Sequence, residues 1–243
     1  MFGLWRSWKR SRYARRPLPT HWLAILTEDV PFFEGFEDAE RSLFLTRLKA
    51  FVWRVAWIEA GGMEIDDQVR VVISAAAVRI ALHLDEDIYR RLSEIVVYPS
   101  HYHHPDDDEG GVIFGEAHAW GTVVLSWDAV LQGLRNPHDG HDTATHEFAH
   151  VLDRNSGDFN GTPELRARDH YRPWALVLSE HYEKLRKGKK DESRVLREYG
   201  ATNEAEFFAV ATEAFFERPE RMLEHTPDLY EELCRFYGVN PAS

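Results

Sequence analysis

The residues His146-Glu147-Phe148-Ala149-His150 form an H-E-x-x-H pattern, and its spacing constrains both the local fold and the chemistry. At about 1.5 Å of rise per residue, positions i and i+4 lie about 6 Å apart along one face of a helix. Two imidazoles placed there can share one zinc ion. Glu147 stands beside the first of them, where it can take a proton from a water activated at that metal. The flanks suit a helix in a shielded cleft. Asp142, Thr143 and Thr145 offer N-capping or early-turn polarity, Val151-Leu152-Asp153-Arg154-Asn155 continues the helix, and Gly157 can end it. Phe148, Ala149, Val151 and Leu152 allow it to be buried.

Catalytic zinc usually has three protein ligands, so a third must come from elsewhere. Cys234 is the sole cysteine. The metzincin pattern needs Gly and His where this chain has Asp153 and Ser156, so that class is excluded. A Glu on a later helix is the other common solution, and Tyr199-Gly200-Ala201-Thr202-Asn203-Glu204-Ala205-Glu206 fits it. Thr202 or Asn203 can cap a helix carrying Glu206 in its first turns. Glu206, Val210 and Glu213 then share a face, while Phe207, Phe208, Ala211, Phe215 and Phe216 cover most of the rest. A carboxylate on so apolar a helix needs a reason, because an unpaired buried charge is costly. A metal is one reason; a salt bridge or partial exposure is another. Asp153 and Glu213 are next in line as third ligand. Asp153 lies on the face of His146 and has two readings of its own: a carboxylate that orients a ligand histidine, or a solvated residue near the helix end.

These segments carry a resemblance. Y-G-A-T-N-E-A-E-F-F-A (199–209) beside H-E-F-A-H resembles the Mlc titration factor A family of zinc peptidases. Over the two metal-site segments it is also similar to the catalytic domain of anthrax lethal factor, a related gluzincin. The likeness to the titration factor family extends to V-V-Y-P at 96–99, V-V-L-S-W at 123–127, A-T-E-A-F-F at 211–216 and Phe236-Tyr237. It implies a zincin-like fold with one zinc ion per chain on His146, His150 and Glu206. It implies Glu147 as general base and Tyr199 facing the reaction centre as an oxyanion donor. Without the resemblance, Tyr199 reads as a core or cap residue. Zinc would lower the pKa of its water to about 7 and polarise the scissile carbonyl. Glu213 either holds a ligand histidine by its second nitrogen or makes a plain ion pair. The resemblance further makes Val123, Val124, Leu125 and Ser126 candidates for an edge strand that pairs with extended substrate.

Two function classes follow. One is a zinc-dependent peptidase, with an aminopeptidase on short peptides as the form the family implies. The other is a regulatory binding protein that sequesters an Mlc-like transcriptional repressor, with or without catalysis.

The rest of the chain fits a bacterial, cytoplasmic enzyme. The 243 residues are 44% hydrophobic with eight tryptophans, enough for a sizeable core. One cysteine allows no internal disulfide, which suits a reducing compartment. No apolar run approaches the ~20 residues a bilayer span needs, and the N-terminus has no extended apolar stretch to act as a signal peptide. Charge is uneven. Residues 1–20 hold Arg6, Lys9, Arg10, Arg12, Arg15 and Arg16 and no acid, so the net −12 becomes −18 for residues 21–243. An acidic body repels nucleic acid, and direct binding to it is not expected. The expected organisation is a flexible basic arm, 1–20, and one metallopeptidase domain, 21–243.

The pattern predicts an α+β chain dominated by helix, with a small sheet next to the metal helix. Helices are expected over 38–60, ended by Gly61-Gly62, and over 66–84, with a short helical piece at 86–92. Strands are expected at 95–98, stopped by Pro99, and at 114–119 and 122–127. Mostly helical structure follows from Pro163, interrupted near 187–190. The His101–Glu109 stretch has metal-binding residue types but the composition of a solvated loop. His118, His138 and His141 read as surface or hydrogen-bonded histidines.

Overall fold

The computed structural model describes residues 17–100 and 121–243, together with the backbone of 102–103, 112–113 and 115–118. Residues 1–16 of the basic arm, and the side chains of the His101–Glu109 stretch and of His118, lie outside the described residues.

The chain is mainly helical α+β. Its helices are α1 (Thr20–Asp29), α2 (Asp38–Arg54), α3 (Asp67–Ala81), α4 (Trp127–Arg135), α5 (Thr143–Arg154), α6 (Tyr171–Arg186), α7 (Lys190–Val195), α8 (Glu204–Glu217), α9 (Pro219–His225) and α10 (Pro227–Tyr237). Its strands are β1 (Ala56–Glu59), β2 (Glu94–Tyr98), β3 (Tyr102–His103), β4 (Val112–Ile113), β5 (Gly115–His118) and β6 (Thr122–Ser126). β1, β2, β6 and β5 form one sheet in that order, the first three parallel and β5 antiparallel to β6. β3 and β4 make a separate antiparallel pair. Gly121 turns the chain into β6 at φ +85°, where a Cβ would collide with the Arg91 carbonyl.

Three expectations change. The helix from Asp38 stops at Arg54, because Val55 turns extended and residues 56–59 pair with Glu94–Val97 of β2. Sheet pairing overrides the helical spacing of Val55 and Trp57. Residues 86–92 form successive i to i+3 turns rather than a helix. Val123–Ser126 is not an edge strand. β6 is bonded to β2 on one side and β5 on the other, so its backbone has no free side for a substrate. Among the described residues the edges of this sheet are β1 and β5, and β5 packs against α5.

Buried apolar side chains from Trp22 to Tyr237 form one contiguous cluster. Asp66 caps α3 by accepting from the Val69 N–H. Ala75, Ala76 and Ala77 are buried and let α3 pack closely on α2 and α5. Phe148 of α5 packs edge-on against Phe51 and Tyr89, both 5.8 Å away between ring centres. α8 is buried on almost every face and lies along α5. The two helices that carry the candidate donors are therefore fixed by the core itself. Among the described residues, no helix is long and apolar enough to cross a membrane.

Candidate metal centre

α5 begins where Asp142 caps it, accepting from the Thr145 N–H at 3.0 Å and from the Thr145 hydroxyl at 2.7 Å. Phe148, Ala149 and Leu152 then turn into the core with no exposed surface. The opposite face carries His146, Glu147 and His150, all buried. Asn203 caps α8 by accepting from the Glu206 N–H at 2.9 Å. That cap sets Glu206 in the first turn, facing the two histidines.

The donor atoms converge. Nε2 of His146 and Nε2 of His150 are 3.1 Å apart. Glu206 Oε2 is 3.0 Å from the first and 3.4 Å from the second. Ligands held about 2.0–2.1 Å from a tetrahedral zinc stand about 3.3–3.4 Å from one another. The observed triangle is close to one face of that tetrahedron, and two imidazoles with a carboxylate are donors that zinc accepts. Among the described residues, no other three His, Cys, Asp or Glu side chains gather their donors this closely.

Behind the triangle sits a fully buried carboxylate, Glu213. Its Oε1 meets His146 Nδ1 at 2.6 Å and accepts from Arg197 at 2.5 Å, while Oε2 accepts from the Asp142 N–H at 2.8 Å. Arg197 also donates to the Gly140 carbonyl at 3.0 Å, tying down the loop that enters α5. The field here is strongly negative. Burial alone would lower the His146 pKa, but Glu213, Glu206 and Glu147 push it up to about 10. Burial works against ionisation of Glu206 too, yet hydrogen bonds to His146 and His150 hold its carboxyl well below the usual range. The carboxylates around His146 call for a cation in their midst, and the imidazoles beside Glu206 keep it an anionic donor. A divalent ion on the three donors would satisfy them.

A family model described as glucose-regulated metallo-peptidase M90 matches residues 5–238. The chain belongs to this family. The uncharacterized protein slr2042 of Synechocystis sp. is 34% identical over 98% of this chain and 90% of its own. Mlc titration factor A of Cronobacter sakazakii is 27% identical over 96% and 91%, and that of Serratia proteamaculans 27% over 87% and 85%. Membership makes this a metallopeptidase-like protein and implies a metal, which the donor triangle is built to accept.

Around the triangle, Tyr199 lies half-exposed with its ring 5.9 Å from that of His146. Burial and the charges of Glu206 and Glu147 raise its phenol pKa. Asp153 does not orient either histidine. It is fully buried, and its Oδ2 accepts from the Gly161 N–H at 2.8 Å. Position 153 lies two turns, about 10 Å along the axis, beyond His146, and the carboxylate organises the following loop instead. His138 and His141 lie at the entry to α5. The His141 N–H donates to Glu217 at 2.9 Å, and His138 Nδ1 lies 3.3 Å from the Glu217 carbonyl.

Three residues that sequence reasoning passed over belong to the setting: Arg197, Glu217 and Phe159. Phe159 lies with its ring 5.0 Å from that of His150. Only Glu217 carried a signal, since it lies four residues beyond Glu213 on a helix otherwise apolar at that end. Nothing local marked Arg197 or Phe159.

Proposed function

We propose that this protein is a zinc-dependent peptidase of the gluzincin type, with His146, His150 and Glu206 as metal ligands. The observation that carries the reading is the donor triangle, sized for a tetrahedral ion, with Glu147 of the same helix beside it. Bound zinc would supply Lewis acidity, polarising a scissile carbonyl and acidifying a water. Glu147 is the base that takes the attacking water's proton and delivers it to the leaving amine. Tyr199 keeps its proton, because burial and two neighbouring carboxylates oppose its ionisation. It therefore remains a hydrogen-bond donor for the oxyanion that develops on the substrate. Extended substrate pairs with the outer edge of β5 in place of β6, since β5 ends the sheet beside α5. Short peptides cleaved from the amino end are the first substrates to try.

The test is Glu147→Gln. Hydrolysis of chromogenic amino-acid and peptide substrates should fall about 10³-fold or more, while metal analysis shows unchanged zinc. Surviving hydrolysis would remove Glu147 from the mechanism. Zinc-free protein after growth with ample zinc would remove the metal assignment.

The relatives named Mlc titration factor A support a second role, capture of an Mlc-like repressor. A pull-down with such a repressor should retain the wild type and Glu147→Gln equally if capture is independent of turnover. No capture by either would confine the protein to hydrolysis.

A further inference from the structure

Against His150, the ligand that Glu213 does not touch, the chain presents an aromatic ring that the chemistry above does not use. Phe159 is 44% exposed, yet its ring lies 5.0 Å from that of His150 at 57°. Tyr199, 52% exposed, stands 5.9 Å from the ring of His146. Each histidine of the triangle thus has one partly exposed aromatic ring beside it. We propose that Phe159 is the wall of a substrate subsite that takes an apolar side chain next to the scissile bond. The proposal rests on the peptidase reading and names its substrate class.

The loop that carries Phe159 is built to hold this place. Asp153, in the last turn of α5, binds the Gly161 N–H at 2.8 Å. Trp174 of α6 donates to the Gly161 carbonyl at 3.1 Å. Gly161 has φ +73° and lies so close to the Glu204 carbonyl of α8 that any Cβ would collide with it. Asn160 Oδ1 accepts from the Thr162 N–H at 3.1 Å, tightening the turn. Two residues beyond the ring, the loop is therefore hydrogen-bonded to α5 and α6 and packed against the start of α8. The Arg154 guanidinium lies 4.5 Å from the centre of the Phe159 ring, a cation–π contact that helps hold the ring.

An apolar face fixed beside a reacting carbonyl favours substrates that cover it. Discrimination between a small and a large apolar side chain at such a wall is about tenfold or more. Lysine and arginine side chains would be desolvated there beside the Arg154 cation and are disfavoured.

Binding tests this without depending on turnover. Zinc-loaded wild type, Phe159→Ala and Phe159→Leu are titrated with alanine hydroxamate and phenylalanine hydroxamate in a calorimeter, with metal content measured on each. The expected result is at least about tenfold tighter binding of the phenylalanine compound by wild type. Phe159→Ala should bring the two compounds level, Phe159→Leu should restore part of the preference, and zinc content should stay the same throughout. Equal binding of both compounds by wild type overturns the proposal, as does a preference that persists in Phe159→Ala. Loss of zinc in Phe159→Ala also overturns it, making the ring a prop for His150. If zinc-loaded wild type binds neither hydroxamate, the peptidase reading itself fails and takes this inference with it.

Discussion

His146 and His150 sit one turn apart on the same helix, and their surroundings differ in almost every respect. His146 backs onto charge. Its Nδ1 meets a fully buried Glu213, which is itself gripped by Arg197 and by the Asp142 N–H. His150 backs onto hydrocarbon. Its Nδ1 has no hydrogen-bond partner among the described residues, and its ring packs on exposed Phe159. The pKa shifts follow. His146 is pushed up to about 10, because carboxylates outweigh burial, and His150 is pushed down, with burial leading. The difference teaches a division of labour. The inner flank fixes a ligand's orientation and basicity through its second nitrogen. The outer flank is apolar where partly exposed Phe159 meets His150, and on the reading proposed above substrate enters there.

Removing the inner carboxylate should have the largest effect. Glu213→Ala strips His146, Arg197 and the Asp142 N–H of one shared acceptor. The expected loss is about 3 kcal/mol of stability, as for breaking a buried ion pair, together with weakened zinc binding. Urea unfolding of the metal-free protein reads the first and chelator competition the second. On the outer flank, Phe159→Ala should change neither quantity measurably. If both variants lose stability equally, the two flanks are not different in kind.

Arg197→Ala asks a narrower question. It leaves Glu213 on His146 but frees the carboxylate from its clamp and the Gly140 carbonyl from its donor. Zinc affinity should drop about 10–100-fold, the usual cost of losing such an outer contact. Arg197→Lys should recover part of it, since a Lys supplies the charge without the two-pronged geometry. Unchanged affinity in Arg197→Ala, measured by competition with a chelator, would mean that the arginine only staples the 136–142 loop.

The contrast also explains what the sequence could reveal. His146, Glu147 and His150 were legible because helical periodicity alone puts them on one face. Glu206 was legible only beside H-E-x-x-H and the family resemblance, since an acid on an apolar helix alone suits a salt bridge as well, and Glu213 shares its face. The α+β class and the β2 and β6 strands followed from short β-branched runs, the first ended by Pro99; β6 stops at Ser126, short of the expected 127, because Ser126 caps α4. The outer flank was not legible. Phe159 sits in a Gly- and Asn-containing turn whose shape is set by a buried Asp153 and by Trp174, thirteen residues beyond Gly161. No local pattern encodes such a turn. Residues 56–59 failed for a related reason, since their strand exists only through pairing with β2, nearly forty positions later. The assignment of β6 as an edge failed because strand order is a property of the whole sheet.

A last and smaller effect separates inner-flank charges that serve the site from one that weighs on it. Glu217 also lies on α8, and its Oε2 accepts from the His141 N–H at 2.9 Å. Burial first, and Asp142 second, push its pKa up to about 8 from an ordinary 4.5. The folded state therefore keeps a proton that the unfolded chain has released between about pH 4.5 and pH 8. Stability should fall as pH rises through that window and level off above it, by at most a few kcal/mol. Glu217→Gln preserves an acceptor for His141 and removes the titration. Urea unfolding of the metal-free protein from pH 5 to pH 9 should show the variant losing less stability with pH, and exceeding wild type at pH 9. Zinc affinity should hardly change, because the Glu217 carboxylate bonds to His141 and not to His146. Parallel pH profiles would mean that Glu217 ionises alike in both states, so that the negative charge behind His146 is carried without strain.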